Sequence, residues 1–150
     1  MHKSRGTLSM SNGEIYNDKY IKSKYSGAEW QTESDCECIH AIYDSAIEFE
    51  NAISDVSGMF ASAIYDTRSD SVILARDRTG QKPLFFALCE NHTLIFSSSL
   101  RSIVASGLIG LKLRKDQLAF SLFNEYSEAG KTLVEGVYSV KPGEIVEWSL

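Results

Sequence analysis

The chain has 150 residues, 43% of them hydrophobic and 23% charged, and its formal net charge at pH 7 is −5. This length and composition are typical of one globular domain with a sizeable core. The acidic balance argues against a nucleic-acid-binding face, which would be basic. No apolar run is long enough to cross a bilayer, and no signal peptide is visible. Three cysteines without paired spacing indicate a reducing compartment, so we expect a cytoplasmic protein.

The beginning of the chain contains a short strand pattern followed by a turn signal. Residues 6–11 predict a strand with Leu8 and Met10 on one face. The Asn12-Gly13 pair comes next, and both residue types tolerate positive φ, so a turn is the simplest interpretation. A helix is then predicted from about residue 14 to residue 25.

A second helix is predicted to begin at Ser34, because Ser34 and Glu37 have the spacing of a capping box. Asp35 would fall in the first turn, where a carboxylate interacts favourably with the helix dipole. Cys36 and His40 are spaced i, i+4, which would suit a metal site or a Cys/His dyad. Because no further ligands are paired nearby, we favour a packed cysteine and a surface histidine. The apolar stripe of this helix is Ile39, Ile42, Tyr43, Ala46 and Ile47.

Two apolar runs of strand length, residues 57–66 and 71–78, flank a polar loop and predict a central antiparallel hairpin. Neither face of the first run is strongly polar, so this strand should be covered on both sides. Further strands are predicted at 84–88, 93–97, 132–140 and 144–148, and helices at 100–105 and 115–125. The inward residues of the last helix would be Leu118, Ala119, Leu122 and Phe123.

Four segments stand out by their order and spacing. They are Asn-Gly-Glu-Ile-Tyr-Asn at 12–17, Thr-x-Ser-Asp-x-Glu at 32–37, Gly-Met-Phe-Ala-x-Ala-Ile-Tyr-Asp at 58–66 and Arg-Asp-Arg-x-Gly-x-Lys-Pro-Leu at 76–84. Together they resemble the glutaminase domain, a class II glutamine amidotransferase, of glutamine-dependent asparagine synthetases. Pro142-Gly143 resembles the Pro-Gly turn near the end of that domain. The resemblance covers nearly the whole chain.

The resemblance implies an α+β fold, the N-terminal nucleophile hydrolase-like αββα sandwich of antiparallel sheets, formed by a type-2 amidotransferase-like domain over residues 1–150. In that family a cysteine at the mature N-terminus attacks the side-chain amide of glutamine, its own α-amine acts as base, and the ammonia travels to a synthetase domain. By resemblance, Asn12 and Gly13 would form the oxyanion hole. Glu14 and Asp35 would hold the substrate α-ammonium. We expect neither a cofactor nor a metal.

The chain departs from the family pattern at the nucleophile. Met1 is followed by His2, where family members carry cysteine, and the internal Cys36 cannot supply a free α-amine. In the family, the segment before the Asn-Gly-Glu motif also carries an arginine that binds the substrate carboxylate. We expect this segment to be missing here, and the fold therefore to be incomplete at the N-terminus. We therefore expect an amidotransferase domain that is inactive alone. The alternative is a non-enzymatic module that binds glutamine, a related amino acid or a partner protein.

The binding partners that we expect follow from these differences between the chain and the family pattern. We expect weak binding of glutamine, and association with a synthetase domain, a complementary chain or a second copy, but not with nucleic acid or a membrane. A sheet without its leading strands would leave a bare edge and an apolar patch, which invite association. The residues expected at this open apolar surface are Leu8, Met10, Phe60 and Ile64.

Overall fold

A computed structural model describes residues 1–4, 6–124 and 128–149, with residue 91 described by its backbone alone. The chain divides into two compact units, Met1–Lys82 with Pro142–Leu150, and Pro83–Lys141. Both contain an antiparallel sheet and helices, so the predicted α+β class is confirmed. The elements in chain order are β1 (His2–Lys3), β2 (Thr7–Ile15), α1 (Asp18–Lys24), α2 (Glu37–Ser45), α3 (Phe49–Ile53), β3 (Gly58–Asp66), β4 (Ser71–Arg76), β5 (Phe85–Leu88), a 3-10 turn (Glu90–His92), β6 (Leu94–Ser97), α4 (Leu100–Ala105), α5 (Lys115–Asn124), β7 (Val137–Ser139) and β8 (Ile145–Ser149).

The first unit is built on a five-stranded antiparallel sheet with the strand order β1-β2-β3-β4-β8. The predicted central hairpin is present as β3 and β4, which pair directly. Both faces of β3 are buried, Phe60 and Ile64 on one face and Ala61 and Ala63 on the other. The expected cover on both sides of this strand is therefore confirmed.

Helices α1, α2 and α3 pack on this sheet through one apolar cluster. The predicted stripe of α2 is confirmed at Ile39 and Ile42, whose side chains are fully buried. Ile47 is fully exposed, because α2 ends at Ser45 before the stripe reaches it. Each fully buried side chain of this size stabilises the fold by about 1.5–3 kcal/mol.

The expected open apolar surface is only partly present. Phe60 and Ile64 belong to the cluster beneath the helices and are 4% and 0% exposed, so the expectation was wrong for them. Met10 is 50% exposed and Leu8 is half-buried, on the strand face that points away from the helices. The helices of the first unit therefore cover the larger apolar side chains.

Strand β2 runs through the Asn12-Gly13 pair without turning, so the predicted turn there is wrong. Gly13 does not have a positive φ, and it pairs with Phe60 of β3. A Cβ atom on Gly13 would lie 2.1 Å from the Met59 carbonyl oxygen. Glycine is needed here because the two strands approach closely. The strand continues to Ile15, so the following helix begins at Asp18 and not at the predicted residue 14.

Helix α2 begins at Glu37 rather than at the predicted Ser34. The Glu37 carboxylate accepts hydrogen bonds from the Gln31 N–H at 2.6 Å, the Thr32 N–H at 2.8 Å and the Thr32 hydroxyl at 2.7 Å. Burial alone would raise the pKa of Glu37, but these hydrogen bonds hold it below its usual value. The capping box is therefore absent, and Asp35 precedes the helix instead of lying in its first turn.

The second unit contains a three-stranded antiparallel sheet with the order β6-β5-β7. The predicted strand pair at 84–88 and 93–97 and the helix at 100–105 are confirmed, whereas only Val137–Ser139 of the predicted strand 132–140 is extended. The inward face predicted for α5 is wrong, since Gln117 is its buried residue and residue 125 lies outside the described part. Among the described helices, none is long and apolar enough to span a membrane. All four residues that were predicted to face inward are exposed: Leu118, Ala119, Leu122 and Phe123.

Candidate functional site

The last third of β2 has a strand on only one side. Strand β1 pairs with β2 at Leu8 and Ser9 and reaches no further, while β3 pairs with β2 along its whole length. Among the described strands, none covers residues 12–15 on the side away from β3. We call this part of β2 the open edge.

The backbone of Gly13 faces the open edge. Its partner Phe60 donates its N–H to Asp77 Oδ2 at 3.3 Å and accepts at its C=O from the Asp77 N–H at 2.9 Å. Both peptide groups of Phe60 therefore point away from β2, which makes Gly13 and Phe60 a non-hydrogen-bonded pair. The N–H and C=O of Gly13 consequently point away from β3, toward the open edge.

The segment before α2 reaches the same edge. Asp35 Oδ2 accepts a hydrogen bond from the Ile15 N–H at 2.5 Å, and the Cys36 thiol donates to the Gly13 carbonyl at 3.3 Å. Residues 13 and 15 have their peptide groups on the same side of the strand. The structure thus brings together the two segments that carry the predicted site residues, although they are about twenty positions apart in the sequence.

The side chains of Asn12 and Glu14 leave β2 on the face opposite Ile15, since successive side chains alternate. Both residues are exposed, whereas Ile15 is buried in the core. Within the described residues, neither side chain has a hydrogen-bond or ion-pair partner. Of the four predicted site residues, Asp35 reaches the edge at the Ile15 N–H, two residues from Gly13, and its neighbour Cys36 contacts Gly13. Asn12 and Glu14 lie on either side of Gly13 in the strand, with their side chains on the opposite face.

The thiols of Cys36 and Cys38 are harder to ionise than a solvent-exposed cysteine thiol. Burial raises the pKa of the Cys36 thiol, the negative charges of Asp35 and Glu14 raise it further, and the ammonium of Lys82 opposes this rise. Burial also raises the pKa of Cys38 to about 12. Because the thiolate is the nucleophilic form of cysteine, both thiols are poor nucleophiles where they stand.

The predicted surface position of His40 is wrong. The residue is 4% exposed, and its Nε2 lies 3.4 Å from Asp44 Oδ2. Burial lowers its pKa. Cys36 is packed, as we favoured, and its thiol bonds to Gly13 rather than to His40, so the two residues do not form a dyad. No group of metal-ligating side chains occurs within the described residues.

The loop between β4 and β5 is fixed by Asp77, a residue to which the sequence pattern assigned no role. Asp77 is 0% exposed. Its carboxylate accepts hydrogen bonds from the backbone N–H groups of Phe60, Thr79, Gln81 and Lys82 and from the Thr79 hydroxyl. An aspartate followed by Thr79 and Gly80 is a turn-forming sequence and could have signalled this loop.

The candidate site is an open strand edge. Three cavities of the first unit, with volumes of about 270, 390 and 280 Å³, are lined by other residues. A ligand at residues 12–15 would therefore be held by a few polar contacts with little apolar enclosure.

The chain is similar to known proteins over much of its length. A family model described as the glutamine amidotransferase domain matches residues 1–150. Asparagine synthetase [glutamine-hydrolyzing] 2 of Bacillus subtilis (strain 168) is 43% identical over 95 residues, which are 63% of this chain and 12% of that protein. Asparagine synthetase B [glutamine-hydrolyzing] of Escherichia coli (strain K12) is 38% identical over 95 residues, 62% of this chain and 17% of that protein. The chain therefore spans less than a fifth of the length of these relatives.

Two solved structures share the fold. The glutamine phosphoribosylpyrophosphate amidotransferase of B. subtilis, complexed with ADP and GMP, has a TM-score of 0.60 and 16% sequence identity and covers 99% of this chain and 30% of its own. An allosteric regulatory enzyme of purine biosynthesis has a TM-score of 0.60 and 16% identity over 95% of this chain and 28% of its own. The predicted fold class, that of N-terminal nucleophile hydrolase-type amidotransferases, is confirmed.

Proposed function

Because the chain belongs to the glutamine amidotransferase domain family, we propose that the open edge of β2 binds L-glutamine, as the glutaminase site of an asparagine synthetase-like protein. The substrate amide oxygen accepts hydrogen bonds from the Gly13 N–H and the Asn12 side chain. The α-ammonium is held by Glu14 and Asp35. The observation that carries this proposal is the hydrogen bond from the Ile15 N–H to Asp35, which joins the two segments at one edge.

The chemistry of each group suits this assignment. Hydrolysis of a side-chain amide passes through a tetrahedral intermediate with negative charge on the former carbonyl oxygen, and fixed N–H donors stabilise that charge. The Gly13 N–H is rigidly aimed because β2 is held against β3 by close backbone approach. Asp35 uses Oδ2 for Ile15, and a carboxylate has further acceptor positions for an ammonium group.

Replacing Asp35 by asparagine is expected to weaken L-glutamine binding by about tenfold. Asparagine retains an oxygen acceptor for the Ile15 N–H but removes the negative charge, and charge-assisted hydrogen bonds are the stronger ones. NMR titration of the labelled protein would measure the dissociation constant. We expect wild-type binding to be weak, because an open edge encloses little of the ligand. The matched control, Asp70→Asn, changes an aspartate in the turn between β3 and β4. Equal affinities of wild type and Asp35→Asn would contradict the assignment.

We further propose that the polypeptide of residues 1–150 binds glutamine without hydrolysing it. Its internal cysteines lack a free α-amine, the Cys36 thiol is occupied by the Gly13 carbonyl, and burial raises the pKa of both Cys36 and Cys38. These observations also support the alternative of a non-enzymatic amino-acid-binding module. In the enzymatic case, ammonia for asparagine synthesis would pass to a synthetase domain or complementary chain. Three free cysteines favour a cytoplasmic location for either function.

We expect purified protein of residues 1–150 to release no ammonia from L-glutamine above the buffer rate. Coupled detection with glutamate dehydrogenase would measure the release. The Cys36→Ala variant is the control, because the Cys36 thiol donates a hydrogen bond to the Gly13 carbonyl at the open edge. Turnover that disappears in Cys36→Ala would show that an internal thiol is an active nucleophile and would overturn this part of the proposal.

A further inference from the structure

Strand β1 covers the first part of β2, where His2 lies directly opposite Ser9. Ser9 and Gly13 are an even number of positions apart, so their peptide groups lie on the same side of β2, the side away from β3. The peptide groups of Ser9 therefore face β1. Directly opposite side chains share a face of the sheet, so His2 lies on the face that carries Ser9 and the buried Ile15. This is the face on which the helices pack.

Two imidazole rings meet beneath β1. His2 is 7% exposed and His40 of α2 is 4% exposed, and their ring centroids are 6.2 Å apart. Nδ1 of His2, both ring nitrogens of His40 and the Ser9 hydroxyl are buried without a hydrogen-bond partner within the described residues. A protonated imidazole must donate through both of its nitrogens. The space beneath β1 therefore suits neutral rings better than charged ones.

The carboxylate nearest to His40 is already engaged. Asp44 accepts hydrogen bonds from the hydroxyls of Ser4 and Thr7 and lies 3.5 Å from the Arg68 guanidinium. Its Oδ2 is 3.4 Å from His40 Nε2, but the two atoms form no hydrogen bond. Asp44 is thus a nearby negative charge whose attraction is shared with a second cation and two hydroxyl donors.

The other charged groups around the rings are also accounted for. Glu37 Oε2 lies 3.9 Å from His2 Nδ1, and this carboxylate accepts three hydrogen bonds from the loop before α2. Glu29 and Arg68 line the cavity beside His40. Two further protons on the imidazoles would therefore enter a buried cluster whose carboxylates are already used.

We propose that His2 and His40 form a proton-sensitive contact that holds β1 on β2 and releases it in mild acid. Protonation of the pair places two positive charges 6.2 Å apart in a site that is shielded from water. Their repulsion and their lost hydration favour a state in which β1 leaves β2 and the rings reach solvent. The peptide groups of Ser9 then become accessible on the same side as the open edge, which lengthens the edge that another strand can meet.

The pKa of His40 supports this direction. Burial lowers it, and His2 lowers it further, while Asp44 and Glu37 oppose the shift. A histidine whose folded-state pKa is depressed contributes its full stability above the unfolded pKa of about 6.5, and the contribution is lost as the pH falls through the folded value. If the carboxylates dominated instead, protonation would strengthen the attachment of β1. The sign of the pH effect thus separates the two cases.

The test is amide hydrogen exchange of the 150-residue chain, followed by NMR at about pH 7.5 and about pH 5.5, on either side of an ordinary imidazole pKa. Exchange is expressed as a protection factor relative to an unstructured peptide at the same pH, which removes the pH dependence of the exchange chemistry. We expect the protection factor of the Ser9 N–H to fall by about tenfold or more in acid, since one linked proton changes an equilibrium by up to about tenfold per pH unit. The Ile64 N–H, in the central strand β3, should keep its protection.

The chain has three histidines, and the third provides the control. His40→Gln and His2→Gln each remove one titrating ring, so Ser9 should lose less protection in acid in these variants than in wild type. His92 is exposed in the 3-10 turn, and His92→Asn should lose protection as wild type does.

Three results would overturn the inference. They are a Ser9 N–H that is unprotected at neutral pH, a protection factor that stays constant or rises in acid, and a loss in both glutamine variants as steep as in wild type. If a glutamine variant fails to fold, the imidazole signals of wild type decide the question. His40 should titrate at a lower pH than His92, over the range in which Ser9 loses protection, and a His40 that titrates above His92 would contradict the proposal.

Discussion

Replacing Gly13 by alanine is expected to lower the free energy of unfolding by about 3 kcal/mol or more. The added Cβ would lie 2.1 Å from the Met59 carbonyl oxygen and 2.7 Å from the Phe60 Cα. Both atoms belong to the backbone of β3, so no side chain can rotate to relieve the overlap. The strands must separate, which disrupts the centre of the five-stranded sheet. Urea denaturation followed by circular dichroism would measure the loss.

The chain offers a matched control for this substitution. A Cβ on Gly27 would meet no atom within 4 Å, so Gly27→Ala should leave the denaturation midpoint almost unchanged. Gly58→Ala provides an independent check from the opposite strand, since its Cβ would lie 2.3 Å from the Glu14 carbonyl oxygen. A Gly13→Ala protein as stable as Gly27→Ala would show that the close approach of β2 and β3 is not required.

Replacing Asp77 by asparagine is also expected to lower the free energy of unfolding by about 3 kcal/mol. The substitution removes a buried negative charge that accepts several hydrogen bonds. The asparagine amide also turns an N–H group toward N–H donors that the carboxylate satisfied. Burial alone would raise the pKa of Asp77, but the hydrogen bonds from Lys82, Gln81, Thr79 and Phe60 lower it below its usual value. Urea unfolding at neutral pH would measure the difference between the variant and wild type.

The direction of the Asp77 pKa shift also fixes the pH dependence. A carboxyl whose folded-state pKa is depressed contributes its full stability above the unfolded pKa of about 3.9, and the contribution is lost as the pH falls through the folded value. Wild type should therefore lose stability in acid more steeply than Asp77→Asn. The control Asp70→Asn, in an exposed turn, should retain the wild-type slope. If wild type and Asp77→Asn lose stability equally steeply as the pH falls, the ionised Asp77 carboxylate does not stabilise the fold as described.

Local patterns were sufficient for several elements. The hairpin of β3 and β4 and the helix Leu100–Ala105 follow from apolar runs bounded by turn-forming residues, and such signals need no distant partner. Asn12-Gly13 was misinterpreted because an Asn-Gly pair has the same local chemistry in a turn and in a close strand pairing. The deciding feature is β3, more than forty residues away, whose Gly58 and Met59 backbone lies against β2.

The burial and orientation of several side chains could not be predicted from the sequence either, because they also depend on segments that are distant in the chain. His40 is buried, although we favoured a surface position for it, and Leu122 and Phe123 of α5 are exposed, although helical spacing indicated an inward face. The resemblance named Asn12, Gly13, Glu14 and Asp35, but it could not give the direction of the Gly13 N–H. That direction depends on the register of β2 and β3 and on Asp77, which uses both peptide groups of Phe60.

The open edge also has a consequence for aggregation. An incoming β-strand adds to an edge by pairing with successive N–H and C=O groups, and uncovered edges invite such growth. At this edge the Ile15 N–H is occupied by Asp35 and the Gly13 C=O by Cys36. A strand from a second chain therefore could not form hydrogen bonds with these two backbone groups. The Gly13 N–H has no hydrogen-bond partner within the described residues. The loop before α2 therefore occupies two of the backbone groups with which an added strand would have to pair.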